Sequence, residues 1–318
     1  MKSLTQFITE KQNFLINSKI NSTVKSSKSN KILYTPKSWN ELYEAIKNLL
    51  DKGETNLNCI DTSNITDMSY LFREVNKRYD ITGIDVSGWD VSNVENMNGM
   101  FCDCHKVDCD LSKWNVSSVK NMALMFAYCY NFNSDLSKWN VSNVENMIEM
   151  FRDCHEFNCD LSNWNTSNNK DMTRMFSGCH NFNCDLNNWD VSNVEDMLET
   201  FKNCENFDSD LSNWDVSNVE DAYCMFYKCK KFKGKGLNKW NTSNIEDMES
   251  MFEGCHSFDC DLSNWNVSKA ENMYEMFKDC KNFEGKGLEN WDVINVKYIK
   301  EMFDGCTSLK NKPTWYKE

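Results

Sequence analysis

Residues 185–209 read D-L-N-N-W-D-V-S-N-V-E-D-M-L-E-T-F-K-N-C-E-N-F-D-S, and the same phrase returns along most of the chain. Its tryptophan marks the register: Trp89, Trp114, Trp139, Trp164, Trp189, Trp214, Trp240, Trp265 and Trp291 follow one another at 25 residues, with two steps of 26. A fixed period in this range is the signature of a solenoid, in which each unit buries its apolar face only against its neighbours. Residue types that recur at one point of the unit therefore form columns, and chemistry has to be sought in columns.

Within the unit, the half V-S-N-V-E-D-M-x-x-M-F reads as helical. Ser192 and Glu195 have the spacing of a capping box, repeated at Ser92/Glu95, Ser142/Glu145, Ser217/Glu220, Ser243/Glu246 and Ser268/Glu271. Val194, Met197 and Phe201 fall at i, i+3 and i+7, one face of a short helix. The half F-x-x-D-L-S-x-W is short and alternating, and suits a brief strand. The expected fold is thus an α/β, leucine-rich-repeat-like solenoid of about ten units, each a short strand plus a short helix, spanning roughly 48 Å at strand spacing.

The first unit is degenerate. Asp61–Met68 and Leu71-Phe72 match the helical half, no Trp precedes them, and the step from Phe72 to Phe101 is long. Upstream, Ser38-Trp39-Asn40-Glu41 is another capping box, Trp39, Leu42, Ile46, Leu49 and Leu50 make an apolar face, and Gly53 stands where a helix stops. Trp39–Leu50 is expected to be a helix covering the sticky N-terminal end. The domain reading is a flexible segment at 1–30, a capping-helix region at 31–57, the solenoid at 58–310 and a C-terminal tail at 311–318.

The chain has 318 residues, a net charge of -13 and a pI near 4.9. An acidic surface repels phosphate backbones and anionic bilayers, so neither nucleic acid nor a membrane is an expected partner. Residues 1–30 contain no apolar run of signal-peptide length and no later stretch approaches a membrane span, which makes the cytoplasm the default location.

The phrase D-L-S-x-W-[DN]-V-S-N-V-x-[DN]-M-x-x-M-F-x-x-C-x-x-F resembles the repeat of the BspA-like leucine-rich repeat proteins and, more narrowly, the DUF285 repeat of mycoplasmas, spirochaetes and other host-associated microbes. The resemblance covers about residues 58–310. It implies a leucine-rich-repeat-like solenoid used for attachment or protein binding, often at cell surfaces, with no catalytic residues.

Several columns could carry chemistry. The Trp row could stack sugars or bases, but recurring apolar residues in a solenoid are usually core, and the same holds for Met100-Phe101 through Met302-Phe303. The main cysteine column is Cys104, Cys129, Cys154, Cys179, Cys204, Cys229, Cys255, Cys280 and Cys306. All four histidines follow one of these: His105, His155, His180 and His256. The same four units carry a second cysteine, Cys109, Cys159, Cys184 and Cys260, giving C-H-x3-C four times.

Cysteine and histidine suit zinc or copper. Against that, adjacent residues point in different directions, and Ser134 and Ser209 replace the second cysteine in sister units. Intra-unit disulfides would need an oxidising compartment. The acidic column Asp110, Asp135, Asp160, Asp185, Asp210 and Asp261 reads as a solvated stripe, with calcium as the alternative. It is interrupted by the bulges Gly234-Lys235-Gly236 and Gly285-Lys286-Gly287.

No P-loop, dinucleotide fingerprint, H-E-x-x-H or G-x-S-x-G is present. The sequence therefore points to a non-enzymatic scaffold, with no catalytic, cofactor or metal residues assigned. It would bind a protein partner through variable positions such as Lys113, Lys138, Asn163, Asn188 and Asn213. A cysteine/histidine metal-binding or thiol-redox protein is the alternative.

Overall fold

The backbone of each unit is a chain of tight turns. In the 185–209 unit, Trp189 N–H bonds to Leu186 O at 3.0 Å, Val194 to Val191 at 2.9 Å, Thr200 to Met197 at 3.2 Å, Cys204 to Phe201 at 2.9 Å and Phe207 to Cys204 at 3.1 Å. Each closes an i to i+3 turn, and the residues that open and close these turns point inward. Leu186, Val194, Met197, Phe201, Cys204 and Phe207 are fully buried. The computed structural model describes residues 31–317; the segment expected to be flexible, 1–30, lies outside them.

Successive turns stack in parallel. Single β-bridges join Asn96 to Asn121, Asn121 to Asn146, Asp196 to Asp221 and so on down to Tyr298. The direction of the cross-unit bonds is regular: the N–H groups of Met97, Gly99, Phe101 and Asp103 donate to the carbonyls of Asn121, Ala123, Met125 and Ala127, at 2.8–2.9 Å. Every unit thus satisfies its own backbone partly through turns and partly through the next unit.

The strand-plus-helix unit is not what forms. Among the described residues there is no named strand, and the only α-helices are α1 (Trp39–Leu50) and α2 (Leu71–Asn76). Spacing of i and i+3 also fits consecutive turns in which every third residue faces inward, so the Val-Met-Phe pattern did not distinguish the two. The reason helix loses is visible in the backbone. Glu199 has φ +53 and Asn203 φ +61, and the equivalent residues of the other repeats are also left-handed. Two such residues within a few positions end any helical run.

The Ser/Glu pairs are accordingly not capping boxes. Ser192 N–H is accepted by Asp190 Oδ1 at 3.1 Å, an Asx-turn, while Glu195 N–H bonds to Lys170 O in the preceding unit at 2.9 Å.

The interior is a set of aromatic columns. Phe101, Phe126, Phe151, Phe176, Phe201 and Phe226 stack at 5.6–5.7 Å between centroids. The tryptophans run parallel beside them, for instance Trp164 and Trp189 at 6.2 Å and 3°. Each buried indole also needs an acceptor. It finds one in the preceding unit: Trp139 Nε1 donates to Leu111 O at 3.0 Å and Trp189 to Leu161 O at 2.9 Å.

Helix α1 closes the N-terminal end. Ser38 accepts Glu41 N–H at 3.3 Å, Leu42, Ala45, Ile46 and Leu49 are buried, and Trp39 Nε1 donates to Ser69 O of the first unit at 2.9 Å. At the other end Trp315 stacks on Trp291 at 6.2 Å and donates to Leu288 O at 2.7 Å, prolonging the indole column into the last residues.

Candidate functional site: the face built on left-handed turns

The columns around the M-x-x-M-F motif sort into fixed and changing ones. Met and Phe point in. Between them, the left-handed positions and their neighbours lie along one side of the stack, half-buried in most units and buried at Glu199, Cys224 and Ser250. One left-handed column runs Leu124, Glu149, Arg174, Glu199, Cys224, Ser250, and the next runs Tyr128, Asp153, Gly178, Asn203, Lys228, Gly254. The residue before the first of these is Ala123, Ile148, Thr173, Leu198, Tyr223 and Glu249 in the same units. The columns tolerate a positive φ and a wide range of side chains, which differ from unit to unit while the core stays constant.

The face is structured by charge as well as by shape. Arg174 bridges Glu149 at 3.4 Å and Glu199 at 2.7 Å, and Lys202 joins Glu199 at 2.9 Å. Burial works to raise the Glu199 carboxyl, but the bonds from Arg174 and Lys202 outweigh it and hold the group below its usual value. Arg152 lies over Tyr128 and Lys228 over Tyr227, at 5.2 and 4.6 Å from the ring centroids. Half-buried Ile148, Leu198, Tyr223 and Tyr274 add apolar area between the charges.

The positions singled out before Trp are less suited to recognition. Lys113, Lys138, Asn163, Asn188 and Asn213 are exposed, but apart from Gly88 that column holds only Lys or Asn.

The tryptophans are buried, with Trp189 2 % exposed, so no ring face is free for a sugar or base. The ladder cysteines are buried too. Cys154 Sγ donates to Phe126 O at 3.0 Å, Cys179 to Phe151 at 3.0 Å and Cys229 to Phe201 at 3.0 Å. Burial pushes these thiols well above their ordinary value, which leaves them protonated and unreactive.

The second cysteines also face inward. Cys159 Sγ accepts Leu136 N–H at 3.1 Å and Cys184 accepts Leu161 N–H at 3.0 Å. Burial raises Cys184 to about 11 and Cys109 to about 12.

The histidines point the other way. His105 and His180 are exposed and His155 is half-exposed, so cysteine and histidine of one C-H-x3-C unit do not converge. Among the described residues every cysteine is a free thiol, and no three His, Cys, Asp or Glu side chains are placed to hold one ion. The acidic column is occupied by local bonds: Asp110, Asp160 and Asp261 each accept the N–H two residues on, at 2.9–3.0 Å, which lowers their carboxyls. In the bulges, Gly234 and Gly236 have φ +83 and +94, and Lys235 pairs with Asp210 at 2.8 Å.

Sequence reasoning missed the left-handed face and a ring ladder beside it. Gly178, Gly254 and Gly305 standing in register with Asp103, Asp153, Asn203 and Asp279 were the available signal, since Gly, Asn and Asp are the types that most readily adopt αL. Tyr130, in the histidine column of a unit that lacks histidine, was the signal for the rings.

A parallel stack of turns with an invariant aromatic interior and a changing outer face defines the molecule as a repeat scaffold. The family described as "Mycoplasma protein of unknown function, DUF285" matches residues 38–158, 75–183, 131–235 and 224–317, and the chain belongs to it. No curated protein is similar to it by sequence. Among solved structures, "Crystal structure of TLR13-ssRNA13 complex" aligns at 11% identity with a TM-score of 0.17, covering 86% of this chain and 48% of that one, so the chain spans about half its length. Likeness at that level carries no conclusion about shape or ligand. No helix among the described residues is long and apolar enough to cross a membrane.

Proposed function

We propose that the protein is a non-enzymatic scaffold that presents its left-handed-turn face to a protein partner. The observation that supports this is the concentration of unit-to-unit variation there, from Ile148 and Arg174 to Leu198, Tyr223 and Lys228, on a frame whose inward columns hardly change. Mixed aromatic, aliphatic and Arg content is what protein interfaces favour.

A photo-crosslinking residue placed at Leu198 or Tyr223 should capture a defined partner in cells, and the same residue at Lys113 or Lys138 should not. Equal capture from both places, or capture only from the latter, would reject the assignment. Family resemblance favours attachment at a cell surface, and labelling of intact cells with an impermeant reagent tests it: labelled protein supports surface attachment, and protein labelled only after lysis rejects it.

A further inference from the structure

The residue after the ladder cysteine forms a stack of rings along four units. His105 and Tyr130 lie 4.5 Å apart between centroids and 5° from parallel, Tyr130 and His155 4.9 Å and 13°, His155 and His180 4.6 Å and 12°. His105 Nδ1 sits 2.7 Å from Tyr128 O, which orients its ring. Inside the stack each ring is covered on both faces, so only the two ends can receive another ring. On the C-terminal side the next position is Glu205, engaged by Lys230 at 2.7 Å.

The N-terminal side is different because the frame breaks there. The bridge from Asp67 to Asn96 spans 29 residues where later ones span 25 or 26, and α2 with its following loop takes up the excess. In register with His105 stands Asn76, not a ring, and its amide is turned to Asp103 O at 3.1 Å. What remains is a groove of about 410 Å³ lined by residues 76–82 together with His105 and Lys106. That volume lies in the range of small-ligand sites.

The groove is basic on an acidic molecule. Lys77, Arg78 and Lys106 line it against one carboxylate, Asp80. Lys77 is paired with Glu74 at 2.6 Å, and Asp80 Oδ1 accepts the Thr82 N–H and hydroxyl at 3.0 and 2.6 Å. Arg78 and Lys106 are exposed, and among the described residues neither is in an ion pair. Two uncommitted cations beside an uncovered imidazole face are the means to hold a planar ring and an attached phosphate.

We infer that this groove binds a small phosphorylated heteroaromatic ligand, its ring extending the stack on His105 and its phosphate meeting Arg78 and Lys106. A nucleoside monophosphate is the simplest such molecule. One free ring face admits one base, which sets this apart from binding of a nucleic-acid strand.

The test is titration with AMP, adenosine and inorganic phosphate, followed by the imidazole proton resonances of the four histidines. AMP should move the His105 signals upfield and bind at least about tenfold more tightly than either fragment. Arg78→Glu combined with Lys106→Glu should weaken AMP by at least about tenfold and leave adenosine unchanged. His105→Ala should weaken both AMP and adenosine. Arg78 and Lys106 are exposed and outside the ion pairs, so the double charge reversal should melt as the parent does. Absence of any His105 shift, phosphate binding as tightly as AMP, or indifference of AMP to the double charge reversal would each overturn the inference.

Discussion

Asn169 is the one polar residue in a column otherwise filled by Ile65, Val94, Val119, Val144, Val194, Val219, Ile245, Ala270 and Val296. It is fully buried, and its amide nitrogen has no hydrogen-bond partner. The stack is also interrupted at that point. The bridge expected between Asn146 and Asp171 is missing, as are the backbone bonds from Lys170 N–H to Glu145 O and from Met147 N–H to Asp171 O, whose counterparts join neighbouring units.

Asn169→Val removes an unsatisfied buried donor that costs about 1–3 kcal/mol and lets two backbone bonds form at about 0.5–1.5 kcal/mol each. It sacrifices the bond from Asp171 N–H to Asn169 Oδ1, 3.1 Å long and worth about 1 kcal/mol. At mid-range the net gain is about 3 kcal/mol. With an m-value of about 3 kcal/mol/M, the urea midpoint rises by about 1 M. Because stability in a solenoid is a sum of unit and interface terms, mending one weak interface should also sharpen the transition. Urea unfolding monitored by tryptophan fluorescence and by amide exchange on both sides of residue 169 checks both effects. A midpoint that stays or falls, with an unchanged slope, would refute the reasoning.

Three further outcomes are expected. Asp221 is pushed up to about 6 by burial, reinforced by the charges of Asp196 and Asp247. The folded state therefore binds the proton more tightly than the unfolded state, and stability contributed below about pH 4 is lost as pH rises through 6. Asn fills the same column at Asn96, Asn121, Asn146 and Asn272. Asp221→Asn should accordingly stabilise by about 1 kcal/mol at pH 7, after discounting for solvent screening, and show no gain at pH 3 in parallel melts. Gly236→Ala should cost about 1–3 kcal/mol, because φ is +94 and a Cβ would press into the Ser212 backbone. A thiol-alkylating reagent should modify Cys59, the half-exposed thiol, well before the ladder cysteines, which should react only on unfolding; mass spectrometry of the tryptic peptides reads this directly.

The period of 25 was legible because a stacked core demands the same apolar residues in every unit, and Trp, Met, Phe and Cys advertise it. The α1 cap was legible because Ser38, its apolar stripe and Gly53 are local signals. The conformation of the unit was not. Inward residues three apart serve a helix and a run of turns equally, and only the left-handed backbone at positions such as Glu199 and Asn203 decides between them.

The sequence by itself determined that the protein is a repeat array, which columns form its interior and where its N-terminal cap lies, since all three follow from spacing along the chain. The tertiary structure decided what faces solvent. Contacts between residues 24 to 29 apart turn Cys154 inward and His155 outward, set His105, Tyr130, His155 and His180 face to face, join Arg174 to Glu149 and Glu199, and leave the Asn169 amide nitrogen without a partner. Those relations depend on which side of a stacked turn each side chain leaves the backbone, and the linear pattern carries no direct record of it.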